Sequence, residues 1–188
     1  MPTLKETPSA REQELLERAY EYSLNHGLAD LSLRPLAAAI GSSPRVLLFL
    51  FGSKDGLIRA LLARARTDEL DLLQHIDSQY DEPPGLTVVA RELWTWLAAP
   101  ERRPLMAFWV EAYGRSLVVP DGPWADYGRS TVEDWLELLK ASQPDPGSPA
   151  AEARRTGVLA MLRGALIDLL ATGDLDRTTA AVEAYLND

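Results

Sequence analysis

The sequence contains no cysteine and only two histidines among its 188 residues. The absence of cysteine excludes disulfides, thiolate metal sites and a cysteine nucleophile. His26 and His75 lie far apart in the chain, and no His-x-x-x-His pair or glycine-rich phosphate loop is present. We therefore predict no enzyme, no cofactor and no metal site, although sequence alone leaves a Ser–His–Asp arrangement open.

Long hydrophobic runs are also missing, since no apolar stretch approaches the roughly 18 residues typical of a membrane-spanning helix. The N-terminus shows no basic segment followed by an apolar run and a small-residue cleavage site. From these two absences we expect a cytoplasmic protein with no membrane partner.

Positive charge is scarce, because 19 basic residues face 28 acidic ones and the net charge is −9. The distribution is uneven. Residues 1–66 hold nine Lys or Arg against seven Asp or Glu, whereas residues 67–188 hold ten against 21. From Leu31 to Arg66 the only acid is Asp55. The overall charge argues against a general nucleic-acid binder, yet this stretch could bind phosphate because salt screens distant charges.

Apolar residues recur at helical spacing throughout the chain, and no alternating β pattern of useful length occurs. The fold class is therefore predicted to be all-α. The predicted helices cover about 9–26, 32–40, 44–50, 54–80, 85–98, 102–118, 123–141, 150–172 and 175–187. We expect a small N-terminal domain over residues 1–53 and a larger C-terminal domain over residues 54–188.

The stretch 37–57, AAAIGSSPRVLLFLFGSKDGL, contains six consecutive apolar residues, Val46 to Phe51. A core strand, a membrane-seeking segment and a short helix are the three possible readings. Ser43-Pro44 has the pattern of a helix cap followed by a first-turn proline, which favours the helix. With the preceding helix, which ends at Gly41, it forms a helix-turn-helix pattern. An ordinary helical hairpin inside a bundle is the alternative.

Residues 32–57, SLRPLAAAIGSSPRVLLFLFGSKDGL, resemble the helix-turn-helix of the TetR family of transcriptional repressors, especially at Phe51-x-Ser53-Lys54-Asp55. The similarity extends over about residues 10–62 and implies an N-terminal three-helix DNA-binding domain with a helical ligand-binding and dimerisation domain after it. Two positions depart from the family pattern. Leu48 and Leu50 stand where the family usually has Tyr and His, so a common phosphate contact is lost.

The resemblance implies that the third helix reads bases in the major groove. Arg45 can bind guanine O6 and N7, or lie on the surface bound to phosphate or to nothing. Leu48 or Phe49 can contact thymine methyl groups or remain half exposed. Two-fold related heads would read half-sites about 34–36 Å apart. The predicted DNA-binding residues are Ser32, Arg34, Ser42, Ser43, Pro44, Arg45, Leu48, Phe49 and Lys54.

All five tryptophans lie between residues 94 and 135. Such a cluster is either an aromatic core or a pocket for an apolar or aromatic small molecule. Glu111 stands in an otherwise apolar stretch, where it either faces solvent or, if buried, needs a partner or a cationic ligand. The predicted pocket residues are Trp94, Phe108, Trp109, Glu111, Ala112, Tyr113, Trp124, Tyr127 and Trp135.

The last two predicted helices carry wide apolar faces, and Gly157 and Gly164 would permit close helix approach. Two such helices from each chain could form a four-helix bundle between subunits; an ordinary intrachain core is the alternative. The predicted dimer residues are Val158, Leu159, Leu162, Leu166, Leu169, Leu170, Val182, Tyr185 and Leu186.

Together these features predict a TetR-like repressor that binds a palindromic double-stranded DNA operator as a homodimer and is released by a small-molecule effector. The alternative is a helical ligand-binding or protein-adaptor module with weak or no DNA binding. Steeply salt-dependent DNA binding would separate the two.

Overall fold

The computed structural model describes residues 9–28, 30–119 and 121–187. Within those ranges there are nine α-helices, two short 3₁₀ turns (Pro100–Arg102 and Gly122–Trp124) and no strand, which confirms the all-α prediction. The helices are α1 Ala10–His26, α2 Leu33–Ala39, α3 Pro44–Phe51, α4 Lys54–Asp77, α5 Leu86–Leu97, α6 Arg103–Val118, α7 Tyr127–Ala141, α8 Pro149–Thr172 and α9 Leu175–Asn187.

Serine caps fix the starts of several helices. The hydroxyls of Ser9, Ser43, Ser53 and Ser148 each accept a hydrogen bond from the backbone N–H three residues on, at 2.9–3.3 Å. Each cap satisfies an otherwise unpaired N–H and typically contributes about 1 kcal/mol. The sequence pattern therefore places these helix starts correctly.

The predicted helix over 123–141 is wrong at its start, since α7 begins only at Tyr127. Gly122–Trp124 forms a 3₁₀ turn, Ala125 is extended, and Asp126 adopts a left-handed conformation with φ 62°. Asp is one of the few residues that visit this region readily. The resulting break separates the turn from α7.

Helices α1 to α3 form the head (residues 9–53), and the remaining helices form the body (residues 54–187). The axes of α2 and α3 are bent by 102° relative to each other, as in a helix-turn-helix. Leu36, Ala37, Ile40 and Leu47 are buried together, whereas Leu50 is half-buried. The small Ala37 side chain allows the two helices to pack closely.

Head and body share contacts through α1, which packs on both α4 and α6. The buried Phe108 ring of α6 meets the Tyr20 ring of α1 edge to face, with centroids 5.7 Å apart. The long helix α4 contributes Leu57 and Leu61, both fully buried, to this shared core.

Within the described ranges, no single helix is long and apolar enough to cross a bilayer, while α2 and α3 taken together as a bent pair satisfy the length and composition criteria.

Candidate functional site

The head presents basic side chains that have no partner in the described part of the chain. Arg34, Arg45 and Lys54, all predicted DNA contacts, are exposed and form no ion pair or side-chain hydrogen bond there. Arg59, on α4, is a fourth such residue and was not predicted. Arg45 is thus on the surface, where the predicted role requires it.

The predicted polar contacts of the head are in different environments. Ser32 is exposed at the N-cap of α2, and its hydroxyl makes no capping bond. The Ser43 hydroxyl caps α3 by accepting from the Val46 N–H at 3.3 Å. The Ser42 hydroxyl is buried and unpaired within the described residues, so we no longer include it among the DNA contacts. Pro44 is half-buried in the first turn of α3.

The apolar run in α3 has two sides. Leu47 is buried in the head core, whereas Leu48 is 42% exposed and Phe49 85% exposed. Val46 is a further exposed apolar residue of α3 that the sequence analysis did not single out. A short helix with one buried residue, Leu47, and two half-buried ones, Leu50 and Phe51, thus accounts for the run, and it leaves an apolar surface beside Arg45.

The body encloses a cavity of about 650 Å³, including space open to solvent, between α4, α6, α7 and α8. The cavity is lined by Glu69, Leu97, Trp109, Val110, Tyr113, Tyr127, Thr131, Trp135, Leu159, Leu162, Arg163, Leu166 and Ile167.

Four of the predicted pocket residues line this cavity: Trp109, Tyr113, Tyr127 and Trp135. Their rings form part of its wall, and Trp109 and Trp135 meet edge to face with centroids 6.5 Å apart. Helical spacing on α6 and α7 directs these side chains to the same space.

The other predicted pocket residues lie outside this cavity because their side chains pack elsewhere. The Trp94 indole N–H donates to Thr179 Oγ1 of α9 at 3.0 Å. Phe108 is buried against Tyr20 in the junction between head and body. Trp124 is buried in the 3₁₀ turn that packs on α4. Ala112 is buried on a face of α6 that does not border the cavity.

Glu111 also lies outside this cavity, where it joins the body to the head. Its Oε2 accepts a hydrogen bond from the Leu28 backbone N–H at 2.9 Å, directly after α1. Gly27 has φ 76°, and a Cβ built on it would lie 2.9 Å from the same oxygen. Neither a solvated helix face nor a ligand contact therefore describes this carboxylate.

Glu69, on α4, is the cavity residue that the sequence analysis missed. It is 1% exposed, and Oε1 accepts a hydrogen bond from the Trp135 indole N–H. Burial raises the pKa of its carboxyl above the ordinary value. The signal was available, because Glu69 continues the buried series of Leu62, Ala65 and Leu72 as its one charged member.

Arg163 of α8 and Thr131 of α7 are further missed members of the cavity wall. The Arg163 guanidinium lies 4.9 Å from the Tyr113 ring centroid, and Nη1 donates to the Tyr113 hydroxyl at 3.4 Å. Burial lowers the pKa of Arg163, although a guanidinium stays charged in proteins. The cavity therefore contains a permanent positive charge.

Helix α4 connects the cavity to the head through polar contacts on both sides. Toward α1, Arg64 Nε donates to Glu17 at 2.7 Å and the Tyr20 hydroxyl donates to Asp68 at 2.8 Å. Toward α7, Arg66 forms an ion pair with Asp134. A displacement of α4 at the cavity must therefore strain contacts made by the head.

Most of the predicted dimer residues are covered by the chain's own helices. All of them except the half-buried Leu170 and the exposed Tyr185 are buried: Val158, Leu159, Leu162, Leu166, Leu169, Val182 and Leu186. They are covered because α8 packs its broad apolar face on α5, α6, α7 and α9 within one chain.

A different face of α8 remains open. Small side chains and one isoleucine follow it with heptad spacing, and all are exposed except the half-buried Gly157. This α8 stripe consists of Ala153, Gly157, Ala160, Gly164, Ile167 and Ala171. On α9, Ala181, Ala184 and Tyr185 are exposed as well.

No group of three or more His, Asp or Glu side chains suited to hold a metal ion occurs in the part of the chain that the structure describes.

Several solved structures share this fold. A TetR transcription regulator from Haloarcula marismortui matches with a TM-score of 0.74 and 20% identity, over 94% of this chain and 96% of that one. A protein described as a TetR-family transcriptional regulator from Rhodococcus sp. gives 0.71 and 15%, over 95% and 98%. The multidrug binding protein EbrR, complexed with imidazole, gives 0.66 and 20%, over 98% and 96%.

No protein-family model matches the sequence, and the search of curated proteins gives no match. The structural matches show that the chain has the fold of TetR-family regulators over nearly its whole length. The resemblance predicted from residues 10–62 is thus confirmed at the level of the fold.

Proposed function

We propose that this protein is a TetR-like transcriptional repressor, which binds a palindromic operator as a homodimer and leaves it when a small apolar or aromatic ligand binds. The observation that carries the proposal is the surface of the head. Arg34, Arg45 and Lys54 are exposed and unpaired around α3 within the described residues, in a protein whose net charge is −9.

The head has the parts that recognition of duplex DNA requires. Arg45 lies in the first turn of α3, where residues of a recognition helix reach base edges. Arg34 and Lys54, at the starts of α2 and α4, are placed to bind phosphates on either side. Phe49 and Leu48 add an apolar surface suited to thymine methyl groups.

A single head makes few contacts, so useful affinity requires two. The α8 stripe is the surface we assign to the partner subunit, because small residues at heptad spacing let two helices approach closely. Tyr185 on α9 borders the same face, and its hydroxyl lies 2.5 Å from a Cβ built on Gly157. A glycine at 157 thus gives Tyr185 room beside α8.

The cavity supplies the response to a ligand. Glu69 belongs to α4, whose first turns pack in the head core, so a ligand that moves this helix alters the orientation of the head. Two heads that no longer match adjacent major grooves lose the operator. EbrR, named as a multidrug binding protein, shows that one neighbour in fold binds small molecules.

The test is selection from a library of random-sequence duplexes, followed by titration of the selected and a scrambled duplex. We expect a selected sequence with two-fold symmetry and affinity that falls steeply as salt increases. Arg45→Ala should remove about 1–3 kcal/mol of preference for the selected duplex. Lys54→Ala should weaken binding to both duplexes equally.

Arg129, exposed on α7, provides the matched control, and Arg129→Ala should change neither affinity. Failure to enrich any sequence, or equal losses of both kinds from the Arg45 and Lys54 variants, would refute the proposal. Salt-independent weak binding would favour the alternative of a helical adaptor, for which the exposed Phe49 would be a protein contact.

A further inference from the structure

The cavity concentrates unsatisfied polar atoms. Glu69 Oε2, Trp109 Nε1, Thr131 Oγ1 and Arg163 Nη2 are all fully buried and have no hydrogen-bond partner in the described ranges, and all four residues line the same space. Native interiors pair the great majority of such atoms. Four such unpaired atoms in one apolar cavity indicate that a molecule bound there places a polar group beside them.

The balance of these atoms favours an anionic group. Arg163 and Trp109 can only donate, and Thr131 can donate as well as accept. Arg163 keeps its charge and forms no ion pair within 4 Å among the described residues. Its hydrogen bond and its cation–π contact are both to Tyr113, and Glu69 is near enough for the two charges to influence each other. Glu69 is different, because a carboxyl group buried to this degree can take up a proton and become a donor.

The other side chains that line the cavity determine the chemistry of the rest of the ligand. Nearly half of the lining side chains are aliphatic and offer no hydrogen bond to a ligand body. The aliphatic ones are Leu97, Val110, Leu159, Leu162, Leu166 and Ile167. A ligand that satisfies both the wall and the donors is apolar along its length and charged at one end.

We infer that the effector is a monocarboxylic acid with an apolar or aromatic body. Its carboxylate accepts hydrogen bonds from Arg163 and from the Trp109 indole. This inference rests on the proposed function only in calling the molecule an effector, since binding itself can be measured without DNA.

The test uses matched probes that differ only at the head group: decanoate, decylamine and decanol, and then phenylbutyrate with its amine and alcohol counterparts. Binding is followed by calorimetry and by tryptophan fluorescence. We expect the carboxylates to bind about tenfold or more tightly than the alcohols, as a hydrogen-bonded charge predicts. The amines should bind most weakly.

Substitutions at Arg163 and Glu69 test the contribution of each charged residue separately. Arg163→Met should reduce carboxylate affinity about tenfold or more and leave the alcohols unchanged, and Arg163→Lys should recover part of the loss. Glu69→Gln, which imitates the protonated carboxyl, should retain or improve carboxylate binding. Arg129→Met on the exposed face of α7 is the control and should have no effect.

Tightest binding by the amines, unchanged carboxylate affinity in Arg163→Met, or no binding by either carboxylate would overturn the inference. These outcomes are distinct from failure of the proposed function. A protein that selects a DNA sequence yet ignores both carboxylates remains a regulator with another ligand, whereas one that binds decanoate but no DNA is a carboxylate-binding protein.

Discussion

The head differs from an ordinary protein surface, and the cavity differs from an ordinary protein interior. The head exposes apolar side chains, with Phe49 85% exposed, whereas the cavity buries polar ones, with Glu69 1% exposed. Both arrangements are unfavourable for the isolated chain. The comparison supports the proposals that the head binds duplex DNA and that the cavity binds a small amphipathic molecule.

The largest expected effect is the loss of DNA affinity when the proposed dimer is disrupted, because operator recognition requires two heads. Ala160→Arg places a charge in the α8 stripe and should convert the dimer to a monomer. Affinity for the selected duplex should then fall on the order of a hundredfold or more, because the second head no longer binds intramolecularly. Sedimentation analysis and DNA titration measure both changes.

Ala107, exposed on α6, is the control for that variant, and Ala107→Arg should leave mass and DNA affinity unchanged. A dimer that persists in Ala160→Arg would place the subunit contact on another face.

The next effect concerns the junction between head and body. Gly27→Ala forces a side chain into a conformation reserved for glycine and against the Glu111 carboxylate, so unfolding should become easier by about 3 kcal/mol. Gly173→Ala also has positive φ, but nothing lies within 4 Å of its built Cβ, and it should cost only about 1 kcal/mol.

Thermal or denaturant unfolding compares the two glycine variants. Equal losses would show that the Glu111 contact at the junction contributes nothing, and that the head is attached to the body mainly through α4.

A smaller effect tests the apolar side of the head. If Phe49 and Leu48 contact thymine methyl groups, replacing the thymines of the selected duplex with uracils should weaken binding by about 0.8 kcal/mol for each methyl group removed. In Phe49→Ala the two duplexes should bind more nearly alike. An identical affinity of wild type for both duplexes would contradict the thymine contact and favour a protein partner for Phe49.

The smallest effect tests the polar side of the cavity. Burial raises the pKa of Glu69, so it keeps its proton at pH values where an exposed glutamate has lost it. As the pH rises through that pKa, Glu69 becomes charged and repels a bound carboxylate. Decanoate affinity should therefore decrease as the pH rises through this raised pKa, by less than tenfold, and Glu69→Gln should remove the dependence.

A pH profile that Glu69→Gln does not alter would assign the titration to another group. Arg66, Asp134 and Arg163 are the charged residues whose interactions also influence Glu69.

The head was largely predictable from the sequence, whereas the cavity was not. Local signals define the head, because Ser43-Pro44 begins α3 and Gly52 follows its last residue. The cavity depends on which faces of distant helices meet. Aromatic residues close in sequence, such as Phe108 and Trp109, point to different neighbours, and Glu69 joins the site from a helix that was read only as an apolar stripe.

The apolar width of α8 is also ambiguous in the sequence. It predicts a partner subunit, but the chain's own helices cover the large side chains such as Leu162. The open face carries small residues such as Ala160 and Gly164, which contribute little to hydrophobicity and are informative only after the core has been assigned.

The most direct measurement is titration of decanoate into the complex of the protein with its selected, fluorescently labelled duplex, followed by anisotropy and tryptophan fluorescence together. We predict that the duplex is released over the same decanoate range that quenches the tryptophans, and that Arg163→Met retains the duplex throughout that range. A wild-type complex that stays intact after the cavity has filled would contradict the coupling between cavity and head.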